Sequence, residues 1–290
     1  MLKVQKSLLK EIYQKRPLGS RKYDYGLLLV IGGSDFYTGS PALSAMAALK
    51  TGCDMVHILA PKRAADIIAS FSPNLAAYPL KGKWLDKEDL PDLLAMVKSA
   101  QNVSHGKTAV VIGGGLGRSA ETQATVLDFL KSVTVPCVID ADAIYAFSQE
   151  VGVAKDKNFL VTPHSYEFFA LTGKQVAGLP DEEKIKLVSE YAEKLNITIL
   201  LKGITDIIVS KNREIGLNAT GSPLMTVGGT GDTLAGIAGA FLARGVEIFK
   251  AACAAAYLNG LAGEKAAEKW GEAMLATDLI EEIAALLPKN

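Results

Sequence analysis

A glycine loop that ends in an aspartate is the part of the sequence whose residue types and spacing best suit chemistry. The loop is GGTGD, residues 228–232, and apolar residues at helical spacing follow it until Gly245. Backbone N–H groups at such a helix start lie beside the positive end of the helix dipole, and together they bind phosphate well. We therefore predict that Gly229, Thr230 and Gly231 form an anion cradle.

Asp232 admits two interpretations. Aspartate is a favoured N-cap residue, so Asp232 could simply cap the helix. A cap, however, does not require three glycines in four residues. The second interpretation is a general base beside a phosphate cradle, placed to take the proton from an acceptor hydroxyl as that hydroxyl attacks a phosphoryl group.

Phosphoryl transfer also requires positive charge beside the phosphates. Asp140 and Asp142 follow the apolar run PCVI, and Asp140 is a candidate Mg²⁺ ligand through a bound water. The alternative for both aspartates is an ordinary turn after a strand.

Short apolar runs alternate with helical patterns along the chain. This alternation predicts an α/β fold with a mostly parallel sheet and helices on both faces. Glycines or polar residues follow the runs at 32–33, 113–117, 140–142, 162–164 and 202–203. Because ligands bind beyond the carboxyl ends of the strands in such sheets, we expect these residues to share one cleft.

Composition and length exclude several classes of protein. The formal net charge is zero and no basic block occurs, so nucleic acid is not an expected partner. No apolar stretch is long enough to span a bilayer, and the N-terminus is charged and helical in pattern, unlike a signal peptide. Cys53, Cys137 and Cys253 form no C-x-x-C pair, which favours a reduced, cytoplasmic protein without disulfides or a zinc site. Residues 1–290 are interpreted as one domain, with a polar surface stretch over 73–107.

Two common nucleotide-binding motifs are matched only in part. Residues 106–108 resemble the end of a P-loop, but the pattern needs a glycine where Gln101 stands. A Rossmann fingerprint fits residues 115–120, with Asp140 near the place of the ribose-binding acid. A nicotinamide oxidoreductase therefore stays open as an alternative, although it leaves the GGTGD loop and the Lys202-Gly203 turn unexplained.

The stretches that follow the apolar runs form an ordered set. They are GGSDFYTGSPALSAMAALKTG, VIGGGLGR, VIDADAI, VTPHSYEF, LLKGITDIIVS, GSPLMTVGGTGDTLAGIAGAFLARG and, near the end, AAYLNGLAGEKAAEKWG with ATDLIEEI. The last glycine loop by itself resembles the ribokinase-like superfamily. The whole set, which covers nearly the entire chain from about Lys22, most closely resembles the ADP/ATP-dependent NAD(P)H-hydrate dehydratases.

The resemblance implies a ribokinase-like three-layer α/β sandwich and a repair reaction. NADH or NADPH that has been hydrated at C6 of the nicotinamide ring would be dehydrated with ATP or ADP as phosphoryl donor and Mg²⁺ as cofactor. Hydroxide is a poor leaving group and phosphate a good one. Phosphorylation of the C6 hydroxyl would let the electrons of the ring nitrogen expel phosphate, and loss of a C5 proton would restore the double bond.

The resemblance also implies roles for individual residues. Asp232 would be the base for the C6 hydroxyl, and Gly231 would hold the transferring phosphate. Contacts to the nucleotide would come from Lys202, Gly203, Ile204, Thr205 and Asp206. Contacts to the hydrated dinucleotide would come from Ser40, Gly117 and His164, together with Asp232. A homo-oligomer, a tetramer by family resemblance, and functional pairing with a separate NAD(P)H-hydrate epimerase are implied as well.

Some positions depart from the family pattern or have a purely structural alternative. Ser40 stands where many relatives have alanine, GGGLG lacks the frequent proline, and HSYE replaces the frequent His-Pro-x-Glu. Ser40 could also be the N-cap of a helix that begins at Pro41. His164 could lie in a turn before a helix capped by Ser165, and Lys202 could mark only a bend between strands. Two further functions stay open: a kinase of a small alcohol such as a vitamin precursor, and a non-catalytic dinucleotide sensor.

Overall fold

The computed structural model describes residues 2–289, and within this range ten β-strands form one sheet. The strands are β1 (Leu2–Lys3), β2 (Leu27–Ile31), β3 (Met55–Pro61), β4 (Ala76–Leu80), β5 (Thr108–Ile112), β6 (Cys137–Ile139), β7 (Phe159–Val161), β8 (Thr198–Leu201), β9 (Asp206–Val209) and β10 (Ile215–Asn218).

Eleven α-helices pack around the sheet in the same range. They are α1 (Ser7–Ile12), α2 (Gly39–Lys50), α3 (Lys62–Phe71), α4 (Leu90–Val103), α5 (Ala120–Ser132), α6 (Asp142–Gln149), α7 (Ser165–Thr172), α8 (Asp181–Lys194), α9 (Thr230–Ala243), α10 (Ile248–Trp270) and α11 (Ala276–Leu286). Short 3₁₀ turns lie at Lys87–Asp89, Val151–Ala154, Pro223–Thr226 and Gly271–Ala273.

The order of the strands across the sheet is β1-β10-β9-β8-β7-β6-β5-β2-β3-β4. Strand β9 runs antiparallel to both of its neighbours, and the other pairs are parallel. From β2 the chain adds β3 and β4 on one side, and from β5 onward it adds strands on the other side of β2, so the strand order reverses between β2 and β5. In open α/β sheets such a reversal opens a crevice beyond the carboxyl ends of the two strands, and ligands bind there.

The strands are buried on both faces and contribute to two separate apolar cores. On β5, Val111 packs into the core formed with α1–α3 and α9–α11, while Val110 and Ile112 pack into the core formed with α4–α8. Successive side chains of a strand point to opposite faces, so a strand covered by helices on both sides is apolar throughout. This arrangement confirms the predicted three-layer α/β sandwich.

The polar stretch over 73–107 holds more structure than predicted. It contains the edge strand β4 and the helix α4, which buries Leu93 and Val97. Strand β4 has the sequence AAYPL, and its alanines and proline are not typical of a strand; the proline is tolerated because β4 lies at the edge of the sheet. No helix within residues 2–289 has the length and the apolar character needed to cross a membrane.

Helices α2 and α9 pack backbone to backbone at Gly236, where an added Cβ would collide with the backbone carbonyl oxygen of Ser44. We expect Gly236→Ala to lower the free energy of unfolding by about 1–3 kcal/mol, because a backbone atom cannot rotate out of the way. Denaturant unfolding measures this change. Gly39→Ala on α2 is the matched control, since a Cβ there meets no heavy atom within 4 Å. Equal stability of the two variants would contradict the expected contact.

Candidate active site

The predicted cleft lies at the edge of the sheet where the parallel strands end. The loops after β2, β5, β6, β7 and β8 all begin at this edge. The start of α9 is held above it, because Ser44 Oγ on α2 donates a 2.9 Å hydrogen bond to the backbone oxygen of Asp232. Residues far apart in the sequence therefore meet around Asp232.

Helix α9 begins at Thr230, directly after Gly229, whose φ of 100° is easily adopted only by glycine. The first helical hydrogen bond joins the N–H of Thr233 to the oxygen of Gly229. The N–H groups of Thr230, Gly231 and Asp232 thus lie before that bond, as an anion-binding helix start requires. Asp232 is the third residue of α9, so its interpretation as the N-cap was wrong.

The Asp232 carboxyl group is enclosed by α2 and by the glycine loop after β5. A Cβ at Gly114 would lie 2.6 Å from Asp232 Oδ1 and 3.0 Å from Ser40 Cβ, so only glycine leaves the carboxyl group its place. The Ser40 hydroxyl donates a hydrogen bond to the carboxylate. Ser40 is the second residue of α2, which follows Thr38, so its interpretation as the N-cap of that helix was also wrong.

Burial raises the pKa of Asp232 to about 7, and the negative charge of Asp140 acts in the same direction. The hydrogen bond from Ser40 and the positive charge of Lys202 act in the opposite direction. A carboxyl group whose pKa lies near neutrality is a stronger base than an ordinary aspartate and is still substantially ionised at pH 7.

Lys202 joins the loops after three neighbouring strands. Its Nζ lies 3.0 Å from Asp140 Oδ1 and 3.5 Å from Glu167 Oε2. Burial by itself lowers the pKa of Lys202, but the two carboxylates outweigh burial and raise it, so the lysine stays charged. A Cβ at Gly231 would lie 3.6 Å from this Nζ, which places the charge beside the start of α9.

His164 is the N-cap of α7, where the sequence had suggested Ser165. Its Nδ1 accepts hydrogen bonds from the N–H groups of Tyr166 and Glu167, so the ring proton resides on Nε2. The N–H of His164 donates in return to Glu167 Oε2 over 2.8 Å. The ring is half exposed at the cleft, while the Glu167 side chain beneath it is buried.

Asp142 organises the far end of the glycine loop after β5. It accepts hydrogen bonds from the N–H of Gly117 at 2.9 Å and from Arg118 Nε at 2.7 Å. The Rossmann hypothesis needs this N–H for a pyrophosphate and Asp140 for a ribose. Because Gly117 is held by Asp142, and Asp140 by Lys202, the arrangement does not favour a Rossmann site.

Residues 202–205 form the turn between the antiparallel strands β8 and β9, so Lys202 and Gly203 do lie at a bend. The turn is closed by Asp206, which accepts from the N–H of Gly203 at 3.1 Å and from Asn218 Nδ2 at 3.0 Å. Burial raises the pKa of Asp206 to about 6, against these two hydrogen bonds. Ile204 is fully exposed at the tip of the turn, and Thr205 is partly exposed.

The structure brings together Ser40, Asp140, Lys202, Gly231 and Asp232, and it places Gly117 and His164 on the adjoining loops. Two contacts at the centre were not predicted from the sequence. Glu167 was not among the predicted site residues. Thr162 was expected in the cleft, but the hydrogen bond that its Oγ1 donates to Asp140 Oδ1 at 2.7 Å was not predicted.

Metal ligands are sparse on the protein side. Within residues 2–289 no group of three or more histidine, cysteine, aspartate or glutamate side chains is arranged to hold a metal ion. Asp140 already accepts two hydrogen bonds through Oδ1. An Mg²⁺ ion at this edge would therefore need most of its oxygen ligands from phosphates and water, as is common for Mg²⁺ that accompanies a nucleotide.

Known proteins similar to this chain share its fold over nearly its whole length. A family model described as NAD(P)H-hydrate dehydratase matches residues 28–285. The ADP-dependent (S)-NAD(P)H-hydrate dehydratase of Cenarchaeum symbiosum is 39% identical over 279 residues, which cover 96% of this chain and 94% of that protein. The crystal structure of the ADP/ATP-dependent NAD(P)H-hydrate dehydratase from Bacillus subtilis, co-crystallized with ATP/Mg²⁺, has a TM-score of 0.80 and 25% identity and covers 98% of this chain and 97% of that one.

Other relatives are longer than this chain. The bifunctional NAD(P)H-hydrate repair enzyme Nnr of Pyrobaculum aerophilum is 41% identical over 277 residues, which are 94% of this chain but 52% of that protein. The chain thus spans about half the length of the bifunctional relatives it matches.

The raised pKa of Asp232 predicts how pH affects stability. Because this pKa is about 7 in the folded protein and 3.8 for a free aspartate, the folded state binds more protons between these values, and the free energy of unfolding falls as pH rises through them. Asp232→Asn removes the buried charge, so we expect it to raise Tm by about 2–4 °C above pH 7 and to change it little near pH 4.

Thermal unfolding at both pH values checks this expectation. Asp92→Asn is the control, since Asp92 is also the third residue of a helix, α4, on the opposite face of the sheet. An Asp232→Asn variant that is less stable than wild type above pH 7 would show that the carboxylate stabilises the fold, contrary to expectation.

Proposed function

Because the chain belongs to the NAD(P)H-hydrate dehydratase family, we propose that it uses ADP or ATP to dehydrate (6S)-hydrated NADH and NADPH. The single observation that carries the proposal is the position of Asp232. Its carboxyl group, with a pKa of about 7, adjoins three backbone N–H groups that precede the first hydrogen bond of α9. A base and an anion cradle in contact are what the transfer of a phosphoryl group to a hydroxyl requires.

In the proposed reaction Asp232 takes the proton of the C6 hydroxyl as its oxygen attacks the terminal phosphorus of the nucleotide. The bond from that phosphorus to the next bridging oxygen breaks, which releases ADP from ATP or AMP from ADP. The electrons of the ring nitrogen then expel phosphate from C6, and C5 loses a proton. The products are the reduced nicotinamide cofactor and inorganic phosphate.

The order of the strands supports a separate place for each substrate. The Lys202–Asp206 turn follows β8, on one side of Asp232, and we assign Lys202, Gly203, Ile204, Thr205 and Asp206 to the nucleotide. Ser40 and Gly117 follow β2 and β5, closer to the other edge of the sheet, and we assign them to the hydrated dinucleotide. His164 follows β7, beside β8, and we assign it to the hydrated dinucleotide on the family resemblance. Gly229, Thr230 and Gly231 would hold the transferring phosphate between the two.

Mg²⁺ is proposed as a cofactor that arrives with the nucleotide. Its chemistry would be to neutralise phosphate charge. Asp140 is the protein carboxylate at hand, and it would act through water because Oδ1 is engaged by Thr162 and Lys202. The Bacillus subtilis relative was co-crystallized with ATP/Mg²⁺, which supports this proposal.

The phosphoryl donor is proposed to be ADP, with ATP as the alternative. The more similar Cenarchaeum symbiosum relative is named ADP-dependent, and the Bacillus subtilis relative is named ADP/ATP-dependent. A homo-oligomer, a cytoplasmic location and functional pairing with a separate NAD(P)H-hydrate epimerase stay predictions from the resemblance.

The decisive test is the recovery of reduced cofactor. With hydrated NADH, Mg²⁺ and ADP or ATP, we expect absorbance near 340 nm to rise for the wild type and the rate to fall by about 10²–10⁴-fold in Asp232→Asn, because general-base assistance is lost. Asp92→Asn, an acid at the same helical position on α4, is expected to keep wild-type activity.

Three other results would contradict the proposal. A stable phosphorylated small alcohol, with no response to hydrated NADH, would identify a kinase. Hydride transfer that needs neither ATP nor ADP would identify an oxidoreductase. Dinucleotide binding without turnover, unchanged in Asp232→Asn, would identify a sensor.

The pH dependence of the reaction provides a further prediction. Since Asp232 must be ionised to accept a proton, kcat/KM is expected to rise with pH and to level off above about 7. Ser40→Ala removes a hydrogen bond that stabilises the carboxylate, so the midpoint of this rise is expected to move to higher pH. Ser44→Ala on the same helix is the matched control, because Ser44 contacts the backbone oxygen of Asp232 and not its carboxylate. Equal midpoints in the two variants would exclude the assigned role of Ser40.

A further inference from the structure

Trp84 lies in the loop after β4, at the same edge of the sheet as the candidate active site. Its indole packs on the glycine loop after β5, where a Cβ at Gly117 would lie only 2.9 Å from the indole Cζ3. The side chain nevertheless leaves 43% of its surface exposed. A large aromatic ring is therefore partly open to solvent next to Gly117.

The loop that carries Trp84 is held firmly on both sides of the indole. The oxygen of Lys83 accepts a 2.9 Å hydrogen bond from the N–H of Asp35, in the loop after β2. Leu85 is fully buried, and its oxygen accepts a 2.9 Å hydrogen bond from Thr122 Oγ1 on α5. An exposed ring on a fixed backbone is prepared to receive a ligand without further loss of conformational freedom.

Two more exposed aromatic rings adjoin the same glycine loop. A Cβ at Gly115 would lie 2.8 Å from Tyr37 Cβ, and the ring of Tyr37 meets that of Phe36 edge-to-face at 4.8 Å. Tyr37 and Phe36 are 55% and 75% exposed. We call Phe36, Tyr37 and Trp84 the aromatic rim. Single exposed aromatic residues are unremarkable, but adjacent ones that border a cleft mark a ligand surface.

The aromatic rim lies on the opposite side of the cleft from Lys202. Strand β8, which precedes Lys202, and strand β4, which precedes Trp84, are on opposite sides of the switch point between β5 and β2. Asp232 contacts the loops at that switch point, through Gly114 and Ser40. The rim is therefore on the side that the proposed function assigns to the hydrated dinucleotide.

We propose that Trp84 is a substrate-binding residue that stacks on a heterocyclic ring of the hydrated dinucleotide. The proposal rests on the proposed function and adds the surface that receives the ring. The fixed indole supplies a flat apolar surface, the absence of a side chain at Gly117 gives the indole room on the glycine loop, and Tyr37 packs on the same loop at Gly115. A dinucleotide carries two heterocycles, the hydrated nicotinamide and the adenine, and either one provides the chemistry that an indole recognises.

Steady-state kinetics with each substrate varied in turn tests the proposal. Trp84→Ala is expected to raise KM for hydrated NADH by about 5- to 100-fold, the usual effect of removing one stacking contact, and to leave KM for ADP or ATP unchanged. Trp84→Phe keeps an aromatic face and is expected to recover most of the loss. Phe71→Ala is the matched control, because Phe71 is 52% exposed at the far end of α3, away from the carboxyl ends of the strands.

Fluorescence provides a second measurement that does not depend on turnover. The chain has two tryptophans, so Trp270→Phe leaves Trp84 as the single tryptophan, whose emission is recorded under selective excitation. Hydrated NADH, added without nucleotide, is expected to quench this emission saturably and to have no saturable effect on Trp84→Phe, which retains only Trp270. Hydrated reduced nicotinamide mononucleotide, which lacks adenine, identifies the ring: quenching assigns the nicotinamide end, and its absence assigns the adenine.

The outcomes separate this inference from the proposed function. A wild type that dehydrates NADH hydrate, with a Trp84→Ala variant that behaves like Phe71→Ala and no quenching of Trp84, would overturn the role of Trp84 alone. A wild type without dehydratase activity would overturn the proposed function. In that case saturable quenching by hydrated NADH would still support the aromatic rim as a dinucleotide surface, and no quenching would overturn it.

Discussion

The burial of the Asp232 carboxyl group at the switch point of the sheet is the constraint on which the rest of the site depends. Removing a carboxylate from water costs free energy, and the pKa rises until the neutral form competes at neutral pH. The same burial makes the carboxyl group a better base. The close packing of α2 on α9 at Gly236 and the absence of a side chain at Gly114 are what allow this enclosure.

Lys202, which follows β8, lowers the pKa of Asp232 and offsets part of the rise that burial and Asp140 cause. Lys202 is shared by Asp140 and Glu167, and both carboxylates keep it protonated. Lys202 and the start of α9 together offer positive charge to a phosphate, while Asp140 keeps the pKa of Asp232 high. Asp140 and Lys202 therefore act on the pKa of Asp232 in opposite directions, and a change at either alters the basicity of Asp232.

Strand order separates two kinds of surface across the cleft. The end of β8 presents a charged turn closed by Asp206, and the end of β4 presents the aromatic rim. Under the proposed function, the charged turn would face the phosphates of the donor, and the aromatic rim would face a heterocycle of the hydrated dinucleotide. Asp232 lies between them because α9 begins above the strands where the chain reverses its direction across the sheet.

The sequence by itself determined the elements and the chemistry of single loops. Apolar runs without alternation predicted parallel strands, because both faces of such strands are buried, and glycines before a helix predicted an anion cradle from local geometry alone. The helix starts were predicted less well. Asp232, Ser40 and Ser165 are all good caps by type, but Gly229, Thr38 and His164 hold those positions. Capping preferences differ by only about 1 kcal/mol, so tertiary packing readily shifts where a helix begins.

Only the tertiary structure decided which residues meet. The contacts of Lys202 with Asp140 and Glu167, and of Trp84 with Gly117, join positions separated by tens of residues. No local pattern encodes such contacts, because they follow from the order of strands in the sheet. Strand β4 itself was missed, since its alanines and its proline are not typical of a strand and are tolerated at the edge of the sheet. Local propensity thus determined what each segment is, and the long-range pairing of strands determined what each side chain faces.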